Sequence, residues 1–179
     1  MRLFTAVPIP EDIKDSIANI SIGLPYVRWV KREQIHITLC FIGEVSNGEY
    51  DLVNEILSEV KFPAFKLELS GVGQFLTARE IDTIWLGIKD PIQISSLNSL
   101  ISKQLKLNGF SIDKRKYSPH LTLARIKRAS RGKIHEYMEE FSRFQSTPFH
   151  VREFQLFSSK LYPEGPVHTL EREFLLGKK

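Results

Sequence analysis

A single cysteine, Cys40, stands in a chain of 179 residues. A lone thiol can neither close a bridge within the chain nor supply a zinc knuckle, so a secreted disulfide scaffold is excluded and a reducing compartment is expected. No apolar run approaches the roughly 18 residues that span a bilayer. The opening Met1-Arg2-Leu3-Phe4-Thr5-Ala6-Val7-Pro8 reaches Glu11 and Asp12 too soon for a signal peptide. A cytoplasmic protein without a membrane partner is the expectation. There is no Gly/Ser linker, low-complexity tract or short periodic repeat, which leaves out disordered tails and solenoids. Also missing are a P-loop, a Rossmann glycine fingerprint, a His-Glu-x-x-His zinc helix and a Gly-x-Ser-x-Gly elbow. With 42% hydrophobic and 26% charged residues, the make-up is that of one globular unit, and a single bilobal domain over residues 1–179 is expected. At this length the core needs no staple of metal or disulfide.

Acidic residues are absent from one stretch. Between Lys114 and Lys133 there are eight basic residues and no acidic one, although the whole chain carries 25 Lys and Arg against 21 Asp and Glu. A smaller basic group, Arg28, Lys31 and Arg32, surrounds Trp29 with only Glu33 nearby. Such clusters favour an anionic partner, and the chemistry beside them decides which one.

Strand and helix patterns alternate along the chain. Leu3 to Ile9 has the pattern of a strand, and Pro10-Glu11-Asp12 opens an amphipathic helix with Ile13, Ile17 and Ile20 on one face, a unit ended by Pro25. His36 to Ile42 is a second strand, stopped by Gly43, and Asn47 offers an N-cap to a helix reaching about Val60. Phe65 to Leu69 and Thr83 to Ile88 are strands, and Ile92 to Leu107 is a helix ended by Asn108-Gly109. His120 to Ile126, His150 to Phe157 and Leu170 to Leu176 complete the strands, with a helix near Lys133 to Phe144.

Two of these strands begin with the same four-residue pattern, His36-Ile37-Thr38-Leu39 and His120-Leu121-Thr122-Leu123, 84 residues apart. The spacing is close to half the chain and suggests a duplicated α+β unit. On a strand, residues i and i+2 share a face, so each copy presents an imidazole and a hydroxyl together. Two such imidazoles across a cleft can serve as general acid and general base near neutral pH, while the hydroxyls hold the oxygens of a tetrahedral anion. The basic residues flanking both copies suit a phosphoester of a polyanion. No clustered carboxylates accompany the histidines, so neither a metal nor another cofactor is expected.

The chain resembles the two-histidine phosphoesterase superfamily, and within it the RNA 2′,3′-cyclic phosphodiesterases, also called 2′-5′ RNA ligases. The resemblance is carried by Met1-Arg2-Leu3-Phe4, Trp29-Val30, the two tetrads, Phe41-Ile42-Gly43-Glu44, Gly71-Val72-Gly73-Gln74-Phe75, Trp85-Leu86-Gly87 and Pro163-Glu164-Gly165-Pro166. It implies a bilobal α+β fold, with duplicated antiparallel sheets and outer helices around a central cleft. It also implies an RNA substrate ending in a 2′,3′-cyclic phosphate or holding a 2′-5′ linkage; a monomer is expected. The product would be a 2′-phosphate. His36 is assigned to protonating the leaving oxygen and His120 to activating water, roles that the residues themselves leave interchangeable. Thr38 and Thr122 would bind nonbridging oxygens, and Arg125 matches the family's phosphate-contacting arginine. Strict alternation puts Arg125 on the face opposite His120, so a bulge or the strand's end must turn it inward. The same acid/base pair would run 2′-5′ ligation or cleavage, and a non-catalytic RNA-binding module is the alternative of a different class. Two departures mark the chain: Phe157-Ser158-Ser159 replaces the usual Tyr-Glu-Ser, and His168 stands where an aromatic commonly follows the Gly-Pro turn.

Among the remaining candidates, Tyr117, Trp29 and Phe75 offer surfaces on which a base could stack, although core packing is the preferred reading of Phe75. Tyr117, between the basic triplet and His120, is the preferred substrate contact. Cys40 falls on the face of His36 and Thr38 by alternation and is taken as apolar filling. His135 and His150 are taken as surface or satisfied residues; for His168, after the Gly165-Pro166 turn, contact with a nucleobase is the alternative to such a position, and its role is left open.

Overall fold

A computed structural model describes every residue except Ala78, Arg79, Lys114, Glu164, Lys178 and Lys179, and every other side chain but those of Thr77, Glu80 and Ile81. The first strand, β1 (Arg2–Pro8), is buried from Leu3 to Val7. The apolar run reflects a central position, with β3 (His36–Glu44) on one side and β9 (Glu153–Tyr162) on the other. Between β1 and β3 lie α1 (Glu11–Ala18), β2 (Val27–Trp29) and a 3₁₀ turn at Arg32–Gln34. Then come α2 (Asn47–Ser58), β4 (Phe65–Leu67), β5 (Leu69–Thr77) and β6 (Glu80–Ile88). The rest is α3 (Ile92–Leu107), β7 (Leu121–Ile126), α4 (Arg131–Glu140), β8 (Phe149–Val151), β9 and β10 (Gly165–Leu175).

Among the described residues the main sheet runs β10-β9-β1-β3-β7-β6-β5 with antiparallel neighbours, and β2 pairs with β7. Two lobes meet where β3 touches β7, and among the described residues the one register pair there is Ile37 with Leu121. Viewed from that pair outward, β1 and β9 follow β3 as β6 and β5 follow β7. The duplication is therefore present, but the lobes are not the two halves of the chain. The N-terminal half gives β2, β5 and β6 to the second lobe, and the C-terminal half gives β9 and β10 to the first. Strands β4 and β8 form a small sheet of their own.

Helices cover the side away from the cleft. In α3 the buried residues are Ile94, Leu97, Ile101 and Leu105, spaced so that one face meets the core. Asn98 on the same helix donates to the Leu39 carbonyl at 2.7 Å, fixing α3 against β3. The cap of α2 is Ser46 rather than Asn47: its hydroxyl accepts from the Glu49 backbone, and the Glu49 carboxylate accepts from the Ser46 backbone in a capping box. Gly43 does not stop β3, since its φ of 96° lets the strand continue to Glu44. The largest departure from the sequence pattern is β5, a nine-residue strand through Gly71-Val72-Gly73. Gly71 is the extra residue of a bulge, with φ at 69°. Gly73 lies directly under Trp85, where a Cβ would fall inside the indole ring. Gly73→Ala is expected to lower the unfolding free energy by about 2 kcal/mol or more through overpacking, whereas Gly48→Ala on α2, where the new methyl meets open space, should be neutral or slightly stabilising. Urea midpoints of the two variants check the contrast; equal shifts would mean that the Trp85 packing yields at no cost.

Candidate active site

A cleft of about 710 Å³ opens where the lobes meet, lined on its floor by His36, Thr38, His120 and Thr122. Register explains why all four converge. With Ile37 paired to Leu121, stepping one residue either way along antiparallel strands sets His36 opposite Thr122 and Thr38 opposite His120, all on the face away from the core. Ile37 and Leu121, at 0% exposure, point the other way.

Each histidine is held at Nδ1 in the same way. The His36 Nδ1 lies 2.7 Å from the Gln34 carbonyl, and the His120 Nδ1 lies 2.7 Å from the Ser118 carbonyl. A carbonyl only accepts, so both Nδ1 atoms carry hydrogen and each neutral ring keeps its lone pair on Nε2. The Thr38 hydroxyl is 3.1 Å from the His36 Nε2 and donates to it in this tautomer. Aromatic rings back both imidazoles. Phe4 and Phe157 pack on His36 at 5.2 and 6.0 Å between centroids, and Phe75 and Trp85 pack on His120 at 4.8 and 6.2 Å. Phe75 and Phe157 stand on corresponding strands, β5 and β9. Burial holds His36 down to about 4, assisted by His168 and His120 and opposed by the Gln34 carbonyl. Burial also lowers His120, with Arg125 adding to the effect and the Ser118 carbonyl opposing it. Both rings are therefore ready to be neutral in the empty cleft at neutral pH.

The two tetrads carry a second shared feature. In β3, Thr5 pairs with Cys40 but Ala6 with Thr38, so Leu39 is an inserted residue. In β7, Ile84 pairs with Ala124 but Trp85 with Thr122, so Leu123 is inserted. Each bulge reverses the alternation beyond it. It turns Arg125 inward, so this arginine lines the cleft with His120 and Thr122 as its proposed role requires. Its guanidinium donates to the Thr83 hydroxyl at 3.0 Å, and among the described residues no carboxylate pairs with it. The matching bulge in β3 corrects the placement of Cys40. The thiol is 3% exposed and packs beside the Ser102 hydroxyl, while Phe41 takes the cleft face instead.

Tyr117 is placed differently from the sequence reading. It is absent from the cleft lining, and its hydroxyl donates to the Thr38 carbonyl at 2.9 Å, tying the approach to β7 onto β3. Burial raises this phenol above the usual range. Trp29 does line the cleft. Of the eight basic residues between 114 and 133, only Arg125 lines it; Lys114 lies outside the described residues, Arg115 pairs with Asp113 and Lys133 with Glu136. The other cations on the cleft are Arg2, Arg28 and Lys31. Arg32, the third member of the smaller basic group, instead pairs with Glu11 and Asp15 on α1. Arg2 escaped notice because an arginine beginning a strand carries no motif. His168 is edge-on to His36 at 5.5 Å, at the cleft wall. His135 pairs with Glu139 on the surface of α4, and His150 is exposed on β8.

A sequence model of the LigT-like phosphoesterase family matches residues 7–85 and again 86–168. The chain belongs to that family. The double match agrees with the repeated tetrads and bulges, and it makes this LigT-like phosphoesterase a tandem of one unit. It is 34% identical to an RNA 2′,3′-cyclic phosphodiesterase of Archaeoglobus fulgidus over 97% of this chain and 99% of that one. It is 30% identical to the protein of the same name from Methanothermobacter thermautotrophicus over 94% and 95%. Among solved structures, Escherichia coli LigT complexed with 3′-AMP superposes with a TM-score of 0.80 at 26% identity, covering 99% of this chain and 98% of that one. Among the described residues no helix is long and apolar enough to cross a membrane.

A depressed histidine also makes this family member sensitive to acid. Between pH about 6.5 and about 4 the unfolded chain binds the proton that native His36 refuses, so stability falls as the pH drops through that window. His36→Gln is expected to lose less stability than wild type between those pH values, read from urea midpoints. Identical losses would show that His36 titrates normally in the native state.

Proposed function

We propose that this protein opens 2′,3′-cyclic phosphates at RNA ends, using His36 and His120 as the acid/base pair. The observation that carries the reading is the matched placement of the two histidines in one cleft, each with Nδ1 2.7 Å from a backbone carbonyl, which makes Nε2 the nitrogen that exchanges a proton. Water attacks phosphorus and gives its proton to the His120 Nε2. The bond from phosphorus to the 3′ oxygen breaks, and His36, protonated at Nε2, gives its proton to that oxygen. The products are a 2′-phosphate and a free 3′ hydroxyl, with the proton now on His120 and returned to solvent before the next cycle. Both rings are neutral in the empty cleft, so the anionic substrate itself favours the protonated His36 that the reaction needs. Thr38 and Thr122 donate to the nonbridging oxygens, and Arg125 offsets the charge that builds on them. Arg2, Arg28 and Lys31 on the cleft wall draw an anionic strand toward it. The activity is assigned to a cytoplasmic monomer acting on RNA.

His36→Ala and His120→Ala are each expected to lower turnover by about 10²–10⁴-fold with the fold retained by circular dichroism. A folded variant that keeps more than about a tenth of the wild-type rate would remove that histidine from the acid/base pair. If both variants matched wild type in RNA affinity and no turnover were found in any of the three, the chain would be a binding module instead. Among the described residues no three His, Cys, Asp or Glu side chains converge on one point. Activity should therefore persist after exhaustive chelation, and loss with EDTA restored by a divalent ion would point to metal chemistry.

A further inference from the structure

The first lobe carries a polar row to which the chemical steps above assign no phosphate contact. Arg2 on β1 is the register partner of Ser159 on β9, and Ser159 is the register partner of His168 on β10. All three line the cleft. Directly opposed residues on neighbouring strands have Cβ atoms about 5 Å apart, so the long Arg2 side chain and the His168 ring can close on one group above Ser159. The row stands beside the reacting centre. Arg2 and Phe4 share a face of β1 about 7 Å apart, and Phe4 touches both His36 at 5.2 Å and His168 at 4.8 Å between ring centroids.

The chemistry of the row suits an anion. Among the described residues no carboxylate pairs with Arg2, and the Nδ1 of His168 is buried without a hydrogen-bond partner. A buried N–H left without an acceptor is rarer than a bare acceptor, which puts the hydrogen of neutral His168 on Nε2. A guanidinium, a hydroxyl and an imidazole N–H thus form a run of donors. The 5′ oxygen of the terminal nucleotide belongs to the same ribose whose 3′ oxygen His36 protonates, so the upstream chain leaves the reacting phosphate on the His36 side.

We propose that Arg2, Ser159 and His168 form a second phosphate subsite, which takes the phosphodiester joining the terminal nucleotide to its 5′ neighbour and gives the enzyme a preference for oligonucleotide ends over single cyclic nucleotides. The inference rests on the proposed reaction and on His36 facing the ribose. It is tested by kcat/KM for a 2′,3′-cyclic mononucleotide and for a dinucleotide ending in 2′,3′-cyclic phosphate, with wild type, Arg2→Gln, Ser159→Ala and His168→Phe. The last keeps a ring against Phe4 and His36. Wild type should prefer the dinucleotide by about tenfold or more, and Arg2→Gln and His168→Phe should each reduce that ratio at least threefold. Ratios within threefold of wild type in both variants overturn the subsite, including the case of equal losses on both substrates, which reports a disturbed His36. If wild type opens neither substrate, the proposed reaction fails while binding still decides the subsite. The dinucleotide bearing a terminal 2′-phosphate should then bind more tightly than the mononucleotide 2′-phosphate, with the difference abolished in Arg2→Gln; equal wild-type affinities overturn it.

Discussion

The cleft depends on one contact between strands, the pairing of Ile37 with Leu121. Both side chains are sealed in the core, and their pairing fixes the register in which β3 and β7 run past each other. A shift of one residue would send His36 or His120 to the opposite face. Because the strands part after this single pair, the face above them opens instead of continuing as sheet. The inserted Leu39 and Leu123 then act at the same distance from the pair on either side. One bulge delivers Arg125 to the second lobe's half of the site, and its counterpart delivers Phe41 to the first. The duplication thus keeps its backbone device while the side chain it presents has diverged, a cation on one side and an aromatic ring on the other.

The two histidines show how burial and a single carbonyl bond can be set against each other. The carbonyl bonds favour the charged rings, while the aromatic walls and the lost water disfavour them, and burial is the larger effect for both. The outcome is a resting site without charge on its imidazoles but with Arg125 beside them. An arriving phosphate meets a fixed guanidinium first, and its own charge then makes proton uptake by an imidazole favourable. Electrostatic attraction and acid catalysis are coupled through the substrate.

The tetrads were legible because strand alternation alone puts His and Thr on one face, and the bounds of α3 were legible because its apolar spacing and its Asn108-Gly109 end agree. Bulges were not legible, since an inserted residue exists only relative to a neighbouring strand; Cys40 was consequently placed on the wrong face and Arg125 needed an assumption. The strand β5 was hidden for a related reason. Its glycines have the pattern of a turn, but Gly73 is small because Trp85 from β6 occupies the space above it. Charge density was visible along residues 114–133, yet its direction was not, and most of that charge stands away from the cleft. Tyr117 was misjudged because its neighbours in sequence are basic while its neighbour in space is the back of β3.

The exchange of strands between the two halves also governs the order in which the molecule can be completed. Since β1 is flanked by β9, β1 keeps a bare edge during synthesis until residues 153–162 have been made. The second lobe closes earlier, because β2, β5, β6 and β7 all precede residue 127. During synthesis the half-site with His120 and Arg125 can take shape while the half-site with His36 still waits for its outer strands, and an apolar edge is open to mispairing for that interval. The charged end of β1 at Arg2 is the only guard that this edge carries within the strand.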